Sequence, residues 1–294
     1  MVKIIKFFVN LLGIRKLLGR LRLEIIIKQD QDFPVYDDYP SESLNNKRFY
    51  NIGAGSFRHP YWTNVDFSTE HYKKVQTSGM INYNLMELVP LPIESGLAEI
   101  VYSSHTIEHI SDEAVQNMLN ESYRILKPGG CIRLTTDDAT LDFKNYQRRD
   151  LKFWYWIDYY SQAGIWEQKY TTPLSKASIH QLFLLLVAAQ LCKIEISDSP
   201  TKKYTDSEIM EVFSNQSMEE GLDFFTRQCV FNPKYPGNHV NWWTHEKLFT
   251  FLEKAGFSEM YISGYGQSLF APLRNTSLFD NTHPKISLYV EAIK

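Results

Sequence analysis

A chain of 294 residues has room for two domains, or for one domain with a large insertion. Its 31 Lys and Arg against 34 Asp and Glu give a formal charge of −3, which excludes a polycation built to neutralise nucleic-acid phosphates; 44% hydrophobic and 22% charged residues exclude a disordered, collagen-like or coiled-coil chain. Cys131, Cys192 and Cys229 lie far apart with no C-x-x-C pair, so neither a disulfide framework nor a thiolate metal site is expected, and a reducing, cytoplasmic setting fits.

Charge is concentrated at the start. Residues 1–28 hold seven basic side chains (Lys3, Lys6, Arg15, Lys16, Arg20, Arg22, Lys28) and one acid, Glu24, a net +6 that leaves −9 for the remainder. The longest uncharged run there, 7–14, is far shorter than the roughly 20 residues of a spanning helix, and no small-residue cleavage site follows. A basic, apolar helix of this kind fits either the interface of an anionic membrane, which would make the protein peripheral at the inner face, or an apolar surface of the protein itself. Residues 29–46 are acidic and polar with two prolines, the composition of a linker, and place a domain boundary near residue 46.

From residue 47 short apolar runs alternate with helical segments. Strands are expected at 48–52, 64–67, 81–83, 98–103 and 131–136, and a helix at 112–126, with Ser111 as N-cap and Pro128-Gly129-Gly130 forcing a sharp turn into the next strand. This rhythm is that of a parallel sheet in an α/β domain, 47–138. Residues 139–238 break it with helical, aromatic-rich sequence and no clear strand, an inserted lid or cap in which the uncharged stretch 177–192 reads as a buried helix. The α/β pattern resumes over 239–294 with a helix at 244–255 stopped by Gly256, a strand near 259–263 and a final strand at 286–293.

Three constellations carry chemistry. Asn51-Ile52-Gly53-Ala54-Gly55-Ser56 follows the first strand, and two glycines one residue apart let the backbone turn tightly and approach a ligand. Asp66 ends the next strand, where a carboxylate can accept hydrogen bonds from both hydroxyls of a ribose. Its spacing of 13 from Gly53 is shorter than the roughly 20 of a dinucleotide site, and Arg58 stands where a third glycine belongs, which argues against NAD and an oxidoreductase and for a nucleoside ligand without pyrophosphate. Next, Ser103-Ser104-His105-Thr106-Ile107-Glu108-His109 contains H-x-x-E-H, the spacing of a zinc motif, yet such ligands must share one helix face and this segment follows a strand, ahead of the helix start at Ser111. No metal is therefore expected. In the loop beyond the strand, which faces the ligand crevice of an open α/β sheet, His105 is either a general base or a histidine that shapes the loop; Glu108 and His109 read as orienting the following helix. Last, Asp137 and Asp138 end the strand 131–136, within reach of the crevice or in a solvated turn.

Taken together, Asn-Ile-Gly-Ala-Gly, Asn-Val-Asp, Tyr-Ser-Ser-His-x-x-Glu-His, Tyr-Arg-Ile-Leu-Lys-Pro-Gly-Gly and the late Trp-Trp-Thr-x-Glu-x-Leu-x-x-x-Leu-x-x-Ala-Gly-Phe resemble the class I S-adenosylmethionine-dependent methyltransferases, in particular the bacterial methyltransferase-11-like subgroup found beside surface-polysaccharide genes. The resemblance covers 47–138 and 239–294 and implies a Rossmann-like, mostly parallel sheet with an antiparallel last strand. It implies that Gly53, Ala54 and Gly55 pass beneath the methionine moiety, with Asn51 nearby, that Asp66 binds the ribose, that Asn84 and Leu85 flank the adenine, and that Ser104 and His105 lie near the transferable methyl. Asn51 and Asn84 stand where acids are common, and Asp137-Asp138 where Pro-Asp is common, which bears on affinity.

The function expected is methyl transfer from S-adenosylmethionine to a hydroxyl of a small-molecule or glycan acceptor, with His105 as base and Asp138 behind it. Trp154, Tyr155, Trp156, Tyr159 and Tyr160 form either an acceptor wall or the core of the lid, and His239 and Trp242 are candidates for its rim. The competing classes are a non-catalytic protein that keeps the fold to bind the cofactor or a membrane partner, and a Rossmann oxidoreductase. Oligomeric state is not legible.

Overall fold

The computed structural model describes residues 34–68, 79–154, 169–196, 201–232 and 237–294; the basic segment 1–28 and the aromatic residues Tyr155, Trp156, Tyr159 and Tyr160 lie outside these. The chain divides into Met1–Pro40 and Ser41–Lys294. The described part of the first unit is a 3-10 turn, Pro34–Tyr36, closed by the Tyr39 amide donating to the Tyr36 carbonyl at 3.0 Å. The second unit starts ahead of the boundary that composition suggested, because a short helix, α1 (Ser41–Asn45), forms there and is fastened by the Arg48 amide on the Ser43 carbonyl at 2.9 Å.

Seven strands make one sheet: β1 (Phe49–Ile52), β2 (Trp62–Asp66), β3 (Ile81–Asn82), β4 (Ala98–Ser104), β5 (Leu126–Asp137), β6 (Glu259–Ile262) and β7 (Ser287–Ile293), in the order β3-β2-β1-β4-β5-β7-β6. The first five run parallel, and β7 lies antiparallel between β5 and β6. Every residue of β1 and the first six of β4 are buried, as expected of central parallel strands covered on both faces, which read as continuous apolar runs. Helix α2 (Asp112–Ile125) packs Val115, Met118, Leu119 and Ile125 into the same core, and Ser111 caps it by accepting from the Ala114 amide at 3.3 Å.

The Pro-Gly-Gly segment behaves differently from the loop expected. Strand β5 begins at Leu126, directly after the helix, because Gly129 (φ +76°) donates its amide to the Lys294 carbonyl at 2.7 Å and Gly130 accepts from the Lys294 amide at 3.0 Å. The turn is thus absorbed into the pairing with the end of β7.

Beyond β5 the chain leaves the sheet and builds a second hydrophobic cluster. Helices α3 (Ala139–Gln147), α4 (Ile179–Ala188), α5 (Asp206–Asn215) and α6 (Met218–Thr226) contribute Phe143, Tyr146, Leu182, Phe183, Ile209 and Phe225 to it. Reciprocal capping boxes, Thr205 with Glu208 and Ser217 with Glu220, set the starts of α5 and α6. Trp154 and Trp242 are buried in this cluster, so among the described aromatic candidates both serve as its core. Two isolated bridges, Tyr170 with Glu195 and Cys192 with Tyr204, add short β pairing where none was expected. The chain returns at Trp243, whose carbonyl accepts the Ala139 amide at 3.0 Å, and continues into α7 (His245–Ala255), capped by Thr244 and stopped by Gly256 at φ +109°. Among the described residues no helix is long and apolar enough to cross a membrane.

One buried ionic group had no sequence signature. Arg133, in the middle of β5 and fully buried, pairs with Asp280 and Glu291 at 2.6 Å each and donates further to Ser263 Oγ (2.7 Å), the Gly264 carbonyl (2.9 Å) and the Gln267 carbonyl (3.0 Å). Glu291 faces it directly across the β5–β7 ladder. Because removing one partner of such a group strands buried charge, Arg133→Met is expected to cost about 3–5 kcal/mol, read as a lowered midpoint in urea unfolding, whereas exchange of the exposed Arg227 of the Arg227–Asp223 pair should cost less than about 1 kcal/mol.

Candidate active site

The register of the sheet decides what meets at its carboxyl edge. Ile52 stands beside Val65 and Ser103, Asp66 beside Asn82, Ser104 beside Thr135, and Asp137 beside Ser287, so the residues that follow β1, β2, β4 and β5 emerge at one level. Those after β1, β2 and β4 wall a cleft of about 160 Å³, open to solvent at its mouth. Gly53, Gly55, Asp66 and Phe67 form one side, Tyr83, Asn84, Leu85 and Met86 a second, and His105, Thr106, His109 and Ile110 the third, with Phe231 from the insertion.

The glycine turn is built as its sequence suggests. Gly53 and Gly55 have φ of +72° and +53°, and Gly53 donates to the Val65 carbonyl at 2.9 Å. A Cβ on Gly53 would lie 2.1 Å from Thr106 Oγ1, whereas one on Gly55 would meet nothing within 4 Å. Asp66 receives the Gly55 amide on Oδ2 and the Phe67 amide on Oδ1, each at 2.7 Å, so the carboxylate is oriented by backbone and keeps lone pairs on both oxygens. Burial raises its pKa and the two amides offset part of that rise. Asn84 caps the 3-10 turn Leu85–Glu87, its Oδ1 accepting the Met86 amide at 3.1 Å.

The third side is a buried group of imidazoles and carboxylates. His105 has φ +48°, an uncommon value for a non-glycine residue, and is held there by its amide on the Thr135 carbonyl at 2.8 Å. Its Nδ1 lies 2.9 Å from Glu108 Oε1 and 3.5 Å from Asp137 Oδ1, and its Nε2 lies 2.8 Å from Ser287 Oγ. The Ser287 hydroxyl donates to the His283 carbonyl at 2.9 Å, so it accepts from Nε2, and His105 is engaged through both ring nitrogens. Burial opposes charge on this ring, but the Glu108 and Asp137 carboxylates outweigh it and raise its pKa. Burial likewise pushes Glu108 upward, and His105, His109 and His239 bring it below the usual carboxylate range. Asp137 is raised, by burial first and by the charge of Glu108, with His105 opposing. His109 is driven down by burial to about 4; its Nδ1 lies 3.3 Å from the Asn238 carbonyl, and its Nε2 points to Glu108 Oε1 at 4.0 Å. His239 Nδ1 stands 3.6 Å from Asp137 Oδ2, and its ring meets that of His109 at 4.8 Å between centroids.

Of the residues expected at a cofactor site, Gly53, Gly55, Asp66, Asn84, Leu85 and His105 line the cleft. Asn51 is buried within β1, Ala54 is buried in the turn, and Ser104 Oγ accepts from Thr135 Oγ1 at 2.7 Å; these three do not line it. The carboxylate behind His105 is Asp137, while Asp138 caps α3 by accepting the Leu141 amide at 3.1 Å. Where the chain leaves the sheet settles which of the two neighbouring aspartates turns inward. Glu108 and His109, expected to orient a helix, instead group with His239, and of these three only His109 lines the cleft, while Trp242 donates through Nε1 to Asp223 at 2.8 Å within the second cluster. Thr106, Tyr83, Met86 and Phe231 had no motif to mark them, being selected by the cleft's shape alone.

Residues 53–134 match the family model described as a methyltransferase domain. This stretch is a methyltransferase domain. Around it, five parallel strands and the antiparallel β7, set between β5 and β6, form one mostly parallel, Rossmann-like sheet. No curated protein matches the chain. Similar solved structures include an S-adenosylmethionine-dependent methyltransferase from Archaeoglobus fulgidus (14% identity, 99% of each chain covered, TM-score 0.40). Others are one from Mesorhizobium loti (13%, 84% of this chain and 90% of that one, TM-score 0.38) and a possible histamine N-methyltransferase from Thermotoga maritima (14%, 84% and 82%, TM-score 0.37).

The two glycines of the methyltransferase turn should separate in mutagenesis. Gly55→Ala adds only left-handed backbone strain and is expected to cost about 1–2 kcal/mol, whereas Gly53→Ala adds a collision with Thr106 to the same strain and should cost at least about 1 kcal/mol more. Thermal melts of the two variants beside wild type check the order.

Proposed function

We propose that the cleft holds S-adenosylmethionine between the glycine turn and the Tyr83–Met86 side, and that the methyl group passes to a hydroxyl of a small acceptor, a sugar of a surface glycan or of its lipid-linked precursor. In this reading Gly53, Ala54 and Gly55 run beneath the methionine moiety, and Asp66 takes the two ribose hydroxyls on the lone pairs its backbone contacts leave available. Leu85 and Met86 face the adenine, with Asn84 at its edge. The sulfonium supplies its own activation, so the chain's task is to align methyl and acceptor and to keep water out. As the methyl forms its bond to oxygen, the C–S electron pair stays on sulfur and the hydroxyl proton leaves toward the imidazole–carboxylate group.

The observation that carries the hydroxyl reading is that group itself. A hydroxyl has a high pKa and must lose its proton during transfer, and His105 and His109 present a buried, carboxylate-backed polar face to the cleft. His105 acts here as a positioning residue, because both its ring nitrogens are already engaged, by Glu108 with Asp137 and by Ser287. The sugar rests on the resemblance to the subgroup found beside surface-polysaccharide genes. The insertion, which supplies Phe231 to the cleft, is the element we assign to covering the acceptor.

The test is isothermal titration with S-adenosylhomocysteine. Wild type is expected to bind at micromolar level, and Asp66→Ala, which removes two hydrogen bonds to a charged acceptor, to bind roughly 100-fold more weakly while its circular dichroism spectrum still reports a folded chain. A folded wild-type sample that gives no heat would overturn the cofactor placement and favour a protein that keeps the fold for a non-catalytic role.

A further inference from the structure

We propose that Glu108, His109 and His239 hold a divalent transition-metal or zinc ion beside the cleft, with Asp137 as a further carboxylate next to it. One ligand atom from each of Glu108, His109 and His239 lies within 4.8 Å of the others, and His105, Glu108 and Asp137 form a second such group that shares Glu108. Four ligand-bearing side chains, His105, His109, Asp137 and His239, thus gather around the one carboxylate of Glu108.

Two observations point to an ion beyond mere clustering. Glu108 Oε1, on a side chain only 2% exposed, and Asp137 Oδ1 are buried and share a single ion-pair partner, His105 Nδ1 at 2.9 and 3.5 Å, without an aligned hydrogen bond of their own. Buried acceptors left in that state cost free energy that a cation at the same spot removes. The surrounding contacts also orient the donors as outer contacts orient metal ligands. Glu108 Oε2 accepts from Thr136 Oγ1 at 3.0 Å, turning Oε1 inward. His109 Nδ1 faces the Asn238 carbonyl at 3.3 Å, which places its proton there and leaves the Nε2 lone pair toward Glu108. His239 is tied through the Leu186 carbonyl.

The local fold explains why the H-x-x-E-H spacing misleads. His105 sits at φ +48° outside the 3-10 turn Ile107–His109, so the two histidines of the motif do not share a helix face. The structure replaces the motif's first histidine with His239, which arrives from the far side of the insertion. Two imidazoles with one or two carboxylates suit Zn²⁺, Mn²⁺, Fe²⁺ or Co²⁺ better than Mg²⁺ or Ca²⁺, which prefer oxygen throughout. An ion there borders the cleft through His109 and is placed to take an acceptor hydroxyl as a further ligand and lower its pKa. That use rests on the methyl-transfer reading; the binding does not.

The experiment is titration of chelator-stripped full-length protein with Zn²⁺ and with Mn²⁺, followed by calorimetry and by metal analysis after dialysis. A single ion per chain is expected, with affinity reduced at least roughly tenfold in His109→Ala and in His239→Ala, while the circular dichroism spectra and melting temperatures of both ion-free variants stay at the ion-free wild-type values as evidence of an intact fold. A wild type that retains no ion, or stoichiometric binding that neither variant weakens, overturns the site. Should a variant fail to fold, Co²⁺ added to wild type gives the deciding signal: a d–d spectrum of nitrogen-ligated cobalt supports the site and a spectrum of hexaaqua cobalt overturns it. Ion binding without S-adenosylhomocysteine binding would remove the methyl-transfer reading and leave the metal site standing.

Discussion

The arrangement of the site depends on one buried carboxylate, that of Glu108. Its side chain joins the loop after β4 to β5 through Thr136 and neutralises His105, while its main-chain carbonyl receives the amides of Val240 and Asn241 at 2.9 and 3.1 Å. Three segments, the last of them more than a hundred residues along the chain from the other two, are therefore tied to a single amino acid. A carboxylate taken out of water is tolerated only when ionic and hydrogen-bonding partners surround it, so each contact is also a condition on where the neighbouring segment runs. The return of the chain from the insertion at residues 238–241 is set here, and with it the position of His239.

The other half of the cleft obeys a backbone constraint. Gly53 passes so close to Thr106 that no side chain fits, and the turn thereby brings the Gly55 amide onto Asp66. The two sides of the cleft are thus held by different physics: steric closeness and main-chain hydrogen bonds on one, buried charge on the other. Thr106 belongs to both, since it covers Gly53 and immediately precedes the 3-10 turn that carries Glu108 and His109.

How much of this was legible follows from the range of each interaction. Strand ends, the cap at Ser111, the stop at Gly256 and the glycine turn with Asp66 depend on neighbours in sequence or on adjacent strands, and their residue types announce them. The Arg133 group does not, because Asp280 and Glu291 come from distant segments and nothing local marks an arginine in an apolar strand as paired. Choosing between Asp137 and Asp138 required the point at which β5 ends and α3 begins, a matter of a single residue. The H-x-x-E-H spacing was read correctly as not helical, yet the grouping of Glu108 and His109 with His239 needed the fold. Burial likewise separated Trp154 and Trp242, which are core, from Phe231, which reaches the cleft; composition alone treats all three alike.

The insertion leaves the sheet at Ala139 and comes back at Trp243, where one main-chain hydrogen bond of 3.0 Å joins departure and return. Between those points it carries its own hydrophobic cluster and its own capped helices. Closing a longer or shorter excursion between fixed ends changes the entropic cost only slowly, by about 0.6 kcal/mol for each doubling of length. The sheet consequently does not constrain what is mounted on it at this point. Under the function we propose, the part of the excursion ahead of residues 238–241, Phe231 included, can therefore be exchanged without moving Gly53, Asp66 or the strand register, which separates what covers the acceptor from what holds the cofactor.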